Sequence, residues 1–426
     1  MELLIIGNGF DLAHNLPTKY TDFLRYCKGY SENTPISEIQ ELSAEFISLL
    51  SYNIWFAYFQ KSITDLDDAK TWIDFEKEIA EVISSVDNAK PLVECAHYFN
   101  APSEFTLDFH DNVTDKLEQF LSSFCTLDTK IQKYIVKQNE ITNTKAFIDF
   151  IYLQLRSFAR AFEIYCLHVN SISPPEQIVT YEQKKQIAKA KVEVDCCTKK
   201  ARDASGYAST KADVPRLEKI RNEAAMKLNS LTTQVCPNDY LGMSKFDCVL
   251  SFNYTNTYER LYGNETTEYC FVHGKAQRNS LNTNVVFGID DELQRGEESK
   301  DFTFVRFKKY YQRIIFRNGS EYKDWLSSPK NHAQGVRVHI VGHSLDKTDH
   351  DVLYEFFDDE CVRVIIYYYS EIDYEDKVQK TIQLLAYKGR NGRDELIRRI
   401  HGSKWSIKFV NQYDDKEGLF TYRKEV

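Results

Sequence analysis

Several short clusters in this sequence place glycine, amide, imidazole or hydroxyl groups directly after apolar runs. The first is Gly7-Asn8-Gly9-Phe10-Asp11, which follows Leu3-Leu4-Ile5-Ile6. A strand ending in two glycines and leading into a helical pattern brings backbone N–H groups to a helix N-terminus, where phosphate or pyrophosphate is favoured. The glycines let a ligand approach the backbone closely. The same residues also suit a plain tight turn, and the third glycine of the dinucleotide fingerprint is missing.

Three later clusters repeat the arrangement. In Ser251-Phe252-Asn253-Tyr254-Thr255, after Cys248-Val249-Leu250, the Asn253 amide could fix a ribose hydroxyl or an attacking water, or simply close a turn. In Val272-His273-Gly274 the imidazole could act as a general base near neutral pH, with Gly274 leaving room beside it, or be structural. In Ile340-Val341-Gly342-His343-Ser344-Leu345-Asp346, Gly342 and Ser344 could cradle ribose or phosphate, or Ser344 or Asp346 could cap a helix. A separate group, Trp72-Ile73-Asp74-Phe75-Glu76-Lys77-Glu78, puts Asp74 and Glu78 on one helical face. Its acids could hold a metal or a ribose, or be the acidic first turn that a helix dipole favours.

The elements that must position these clusters follow from the apolar pattern. Leu3–Ile6 is an unbroken apolar run, as in a strand buried on both faces of a parallel sheet. Helical spacing then dominates: Ser37 to Ile63, Trp72 to Ile83, Thr114 to Val136 and Thr144 to Val169, with a break at Ser171-Ile172-Ser173-Pro174-Pro175. From Tyr181 to Asn229 Lys and Ala replace aromatics, which reads as an exposed helical hairpin turning near Ser205-Gly206 or interrupted at Val214-Pro215. Strands return at Phe246–Phe252, Tyr269–Val272, Asn284–Phe287, Arg337–Val341 and Val362–Tyr368. The expected fold class is therefore α/β, a Rossmann-like parallel sheet with a large helical insertion after the first βα unit. Residues 1–35 and 236–426 would form the nucleotide-binding domain, 36–175 the helical insertion and 176–235 the Lys-rich arm. Parallel strands deliver their C-terminal ends to one edge, so the polar turns would meet in one crevice.

Composition bounds the partners. The chain has 426 residues, is 42% hydrophobic and 14% aromatic, and carries a formal net charge of −9. That charge opposes non-specific nucleic-acid binding by the whole surface and leaves only the 181–229 arm as a basic contact. The ten Cys include no CxxC pair, and no His spacing matches a zinc site, so free buried thiols and no metal are expected. Met1-Glu2 leads at once into the first apolar run, without the basic flank of a signal peptide, and no stretch approaches a membrane span. A cytoplasmic protein without membrane contact is the expectation.

Together the clusters resemble the AbiH family of bacteriophage abortive-infection proteins. Gly7-Asn8-Gly9-Phe10-Asp11-Leu12-Ala13-His14 with Leu16-Pro17-Thr18-Lys19-Tyr20 and Phe23 is similar to that family's N-terminal signature. Trp72-Ile73-Asp74-Phe75-Glu76, Phe252-Asn253-Tyr254-Thr255, His273-Gly274, Phe287-Gly288-Ile289-Asp290-Asp291 and Gly342-His343-Ser344-Leu345 fall in the family's order. More distantly the layout resembles sirtuin-like NAD-consuming domains. That resemblance implies NAD as substrate, Asn253 and His273 as catalytic residues, pyrophosphate at Gly7 and Gly9 with Asn8, Phe10 and Asp11 beside it, Tyr254 and Gly274 next to the catalytic pair, and the second ribose at Gly342 and Ser344. The four-Cys zinc module of sirtuin deacetylases has no counterpart, so acetyl-lysine chemistry is not implied. The resemblance implies a phage-defence effector hydrolysing NAD to ADP-ribose and nicotinamide, as a homo-oligomer or with a defence-system partner protein. Two other readings stand beside it: a non-catalytic nucleotide sensor or scaffold, and a metal-dependent nuclease using Asp11, Asp74 and Glu76.

Overall fold

In the computed structural model the described residues are 1–31, 40–51, 53–64, 75–88, 144–172, 214–232, 246–278, 283–289, 302–328, 335–358, 362–387, 391–401 and 406–412, with isolated positions in 117–123, 196–200 and at 389. Six strands, β1 (Glu2–Ile6), β2 (Cys248–Ser251), β3 (Glu268–Phe271), β4 (Val336–Val341), β5 (Val362–Tyr368) and β6 (Ile407–Asn411), form one sheet in the order β3-β2-β1-β4-β5-β6. Every pair is parallel. This is the Rossmann order, in which the chain reverses its direction of winding between β1 and β4. The apolar run at the N-terminus becomes a central strand: Leu3 faces Cys248 and Val338 across its two ladders, and Ile6 faces Ser251 and Val341. Leu3, Leu4 and Ile5 are fully buried, as strands covered on both faces require.

Between β1 and β2 the described chain is helical: α1 (Asn8–Ala13), α2 (Tyr20–Ser31), α3 (Gln40–Ser51), α4 (Ile54–Thr64), α5 (Phe75–Asn88), α6 (Thr144–Ser171) and α7 (Val214–Thr232). Helices α2 to α6 share an aromatic core in which Phe75 lies against Phe59 and Tyr20, with ring centroids 4.2 and 4.3 Å away. Trp55 donates to the Ile151 carbonyl of α6 at 2.8 Å, which ties α4 to the longest helix. The remaining helices are α8 (Thr257–Tyr262), α9 (Lys309–Phe316), α10 (Tyr322–Ser327), α11 (His350–Asp358), α12 (Glu371–Ala386) and α13 (Gly392–His401). Leu353, Phe356 and Phe357 of α11, Leu384 and Leu385 of α12 and Leu396 of α13 pack on the odd-numbered face of β1 and its neighbours.

Several expectations change in detail. The helical stretch from Ser37 to Ile63 divides at Asn53, whose Oδ1 accepts the Phe56 N–H at 3.1 Å and so caps α4. Val214-Pro215 stands in the first turn of α7, where proline forfeits no helical bond, and the residues before it lie outside the described ones. Asn284–Phe287 is not a strand. It is largely buried, and side chains supply most of its partners: Gln312 accepts from the Phe287 N–H and donates to its carbonyl, and Arg156 donates to the Val285 carbonyl at 2.7 Å, while the Val286 N–H donates to the His273 carbonyl at 2.8 Å. Edge strand β6 was unforeseen. Thr114–Val136 lies largely, and 181–195 and 201–213 wholly, outside the described residues.

Candidate functional site

The loops that follow β1 and β4 lock together at the switch point. The Gly9 N–H donates to the Gly342 carbonyl at 2.8 Å, and the Gly7 N–H to the Val341 carbonyl at 3.3 Å. A Cβ on Gly342 would stand 2.2 Å from the Phe10 nitrogen, and its φ of +63° belongs to the left-handed region. The close approach that these glycines permit is therefore to the neighbouring loop. With the Phe10 N–H bonded to the Gly7 carbonyl at 2.9 Å, the amides of Asn8, His343 and Ser344 are among the backbone donors at this edge, within the described residues, that have no backbone acceptor. The Ser344 side chain is exposed, and its hydroxyl accepts from the Asp346 N–H at 3.3 Å.

The turn after β2 supports the β1 loop from the other side. Asn253 is buried and donates through Nδ2 to the Gly7 carbonyl at 3.0 Å. The Thr255 hydroxyl donates to Asp11, and the Thr257 hydroxyl donates to Thr255 at 3.2 Å. Burial pushes the Asp11 carboxyl up to about 6, against the lowering effect of Thr255, Thr257, Asn253 and Arg260. Tyr254 donates to the Val286 carbonyl at 3.0 Å, and its ring lies 5.9 Å from that of His273. Gly274 has a φ of +83° and a Cβ there would meet the Asn284 carbonyl at 2.3 Å, so it holds the 283–289 segment against the turn after β3.

His273, from that turn, meets a carboxylate that the sequence reading did not single out. Its Nε2 lies 3.1 Å from Oδ1 of Asp349, in the short 3-10 turn Lys347–Asp349 beyond β4. His343 Nε2 lies 3.5 Å from the other oxygen of the same carboxylate. His343 Nδ1 accepts the Leu345 N–H at 2.9 Å, so the neutral ring carries its proton on Nε2, toward Asp349. The Phe252 ring closes edge-on over both imidazoles, 4.3 Å from His343 and 5.5 Å from His273. Behind Asp349 the Lys309 ammonium lies 3.2 Å from Oδ1 and 2.7 Å from Oε2 of Glu76.

Electrostatics follow from this burial. His273 is pushed down to about 4, by burial first and by Lys309 second, with Asp349 pulling the other way. Burial would raise Asp349, but Lys309 and the two histidines hold it well below the ordinary carboxylate range. Burial likewise opposes the charge on Lys309, and Asp349 and Glu76 overcome it, so its pKa lies above that of an ordinary lysine. Near neutral pH the cluster thus holds an ionised Asp349, a charged Lys309 and a neutral His273. The 3.1 Å approach of His273 Nε2 to Oδ1 is an ion-pair distance and not an aligned hydrogen bond, and Nε2 is buried without a hydrogen-bond partner. That sets an ionised acid beside an uncharged imidazole, the two groups that general-base chemistry uses.

Of the sequence candidates, Gly7, Gly9, Phe10, Asp11, Asn253, Tyr254 and Gly342 come together around the ends of β1, β2 and β4, and His273 joins them from the turn after β3, with Gly274 beside it against the 283–289 segment. Asn8 is half-buried and Ser344 stands outward. Glu76 reaches the cluster through Lys309, while Asp74 lies outside the described residues. Lys309 and Asp349 carried no local signal beyond charge; only Asp349, seven residues past Gly342 on one strand-end loop, was within reach of a reading centred on strand ends. Among the described residues Cys27, Cys166, Cys196, Cys197, Cys248 and Cys270 are free thiols, and all but Cys196 are buried.

Sheet order and strand-end cluster define a Rossmann-like α/β protein with a buried His–Asp pair at its switch point. The family described as Bacteriophage abortive infection AbiH matches residues 3–189 and 176–370, and the chain belongs to this AbiH family. Its setting is therefore phage defence by abortive infection. No curated protein and no solved structure matches the chain. Among the described residues no helix is long and apolar enough to cross a membrane.

Proposed function

We propose that the chain is the catalytic effector of an abortive-infection response, a hydrolase that cleaves the nicotinamide–ribose bond of NAD at the β1/β4 switch point. The observation that carries this reading is the His273–Asp349 pair, 3.1 Å apart and buried at the carboxyl edge of a Rossmann-ordered sheet. His273 Nδ1 takes a proton from the attacking water as oxygen bonds to the ribosyl C1′ and the C1′–nitrogen bond breaks. Nicotinamide leaves neutral and ADP-ribose is the other product. Asp349, beside Nε2, steadies the imidazolium as it forms. The Asn8 and Ser344 amides are the donors for a phosphate, and Asn253 holds the β1 loop in place. Homo-oligomerisation or a partner protein would supply the restraint on NAD consumption before infection.

The test is NAD consumption by the full chain, in purified form and in phage-infected cells, with nicotinamide and ADP-ribose quantified. Wild type is expected to consume NAD on infection. His273→Ala and Asp349→Asn should each lose about 100-fold or more of the turnover, the usual scale of a general base. Phage protection with NAD untouched would remove the catalytic reading. Nucleotide binding and protection that survive His273→Ala would make the chain a sensor or scaffold instead.

A further inference from the structure

The His273–Asp349 pair is one end of a longer buried line of charge. One carboxylate oxygen, Oδ1 of Asp349, lies 3.1 Å from His273 Nε2 and 3.2 Å from the Lys309 ammonium. Lys309 belongs to α9 and is 3% exposed, and its other contact is Oε2 of Glu76 at 2.7 Å. Glu76 sits in the first turn of α5, one residue after Phe75, whose ring is fully buried among Tyr20, Phe59 and Phe158. The aromatic core of the helical region thus sets where Glu76 stands, and Glu76 is the group from that region in the line. The charged and titratable groups facing His273 are Asp349 beyond β4, Lys309 and Arg313 on α9, Tyr254 after β2, and His343 across the shared carboxylate. Arg313 is neutralised by its own partner, Asp351 of α11.

We infer that Lys309 is a positioning residue for the His273–Asp349 pair and that Glu76 is the counter-charge through which the seating of α5 controls the basicity of the site. The inference rests on His273 being the base proposed above. The physical argument is a division of charge. With Glu76 in place the ammonium is shared between two carboxylates, and Asp349 keeps enough negative charge to steady an imidazolium. Without Glu76 the whole positive charge falls on Asp349, so protonating His273 becomes harder and its lone pair a weaker base. Without Lys309, Asp349 serves the histidines alone, and His273 becomes a stronger but less firmly held base. The two losses therefore move His273 in opposite directions, which a purely structural role for either residue would not do.

The experiment is an NMR titration of the full chain labelled with 13C at histidine Cε1, with the His273 signal assigned by its loss in His273→Asn. Lys309→Met should raise the His273 midpoint by about one pH unit or more, the usual effect of a charge at this range. Glu76→Gln should lower it, and Lys309→Arg should return it toward wild type. If Lys309→Met does not fold, Glu76→Gln decides by itself, since a midpoint that stays or rises overturns the inference. Unchanged midpoints in Lys309→Met and Glu76→Gln overturn it as well. NAD turnover against pH, measured on the same variants, tests the parent reading separately. Midpoints that move as stated while turnover ignores them keep the coupling and remove His273 as the base.

Discussion

At the scale of single residues, the two kinds of glycine in this fold separate cleanly. Gly342 needs both a positive φ and the absence of a Cβ, since that atom would stand 2.2 Å from the Phe10 nitrogen. Gly389 has a φ of +82° but nothing within 4 Å of its Cβ position. Gly342→Ala is expected to cost about 3 kcal/mol or more through strain plus displacement of the β1 loop, against about 1–2 kcal/mol for the backbone term alone in Gly389→Ala. Urea unfolding midpoints check this, and equal losses at both positions would refute the interlocking of the two loops. The same distinction governs what was readable. His273 and Gly342 stand beside strand ends, where local pattern marks them. Lys309 and Asp349 enter the site only because α9 and the turn before α11 converge on β3 and β4, and no spacing along the chain encodes that convergence.

At the scale of elements, the segment 283–289 shows why some of the pattern misled. Val285, Val286 and Phe287 are all buried, and an unbroken apolar run of that kind reads as a buried strand. Yet, apart from backbone bonds at Val286 and Ile289, its main chain bonds to side chains. Gln312 takes the Phe287 N–H at 2.8 Å and gives its own amide to the carbonyls of Phe287 and Arg306, both at 3.1 Å, in the manner of a neighbouring strand. Gln312→Leu keeps the volume and strands these groups without partners, at an expected cost of about 2–4 kcal/mol. Hydrogen exchange across 283–289 should accelerate in that variant. Unchanged protection would mean that the segment does not depend on Gln312. Strand β6 failed in the opposite sense. Only Ile407 and Val410 are buried in Ile-Lys-Phe-Val-Asn, so this edge strand lacks the apolar run that betrayed the central ones.

At the scale of the whole molecule, alternating strands and helices after residue 246 made a parallel sheet legible, but strand order is a matter of long-range pairing and left no periodic trace. Burial at the switch point also gives the molecule a pH response of definite sign. His14 is neutral by construction: Nδ1 donates to the Phe10 carbonyl at 2.7 Å and Nε2 accepts from the Tyr262 hydroxyl at 2.8 Å. Burial pushes His14 down to about 4, as it does His273. An unfolded chain binds protons at both residues from pH 6.5 downward while the folded chain does not, so stability falls as pH drops from about 6.5 to about 4. His168 and His339, also lowered by burial, act in the same direction. Asp11 opposes them. Raised to about 6, it holds a proton in the folded state that the unfolded state has lost, so it favours folding as pH falls from about 6 toward 3.8. A fully buried group such as His14 or His273 contributes at most about 1.4 kcal/mol per pH unit inside its window, and the histidines outnumber the carboxyl. Urea unfolding at pH 7 and pH 5 should therefore show lower stability at pH 5. Asp11→Asn, which retains an acceptor for Thr255, should raise stability at pH 7 and steepen the loss on acidification. Stability that holds or rises from pH 7 to pH 5 would mean that these imidazoles are not held neutral by the fold, and with them would go the neutral His273 on which the proposed base depends.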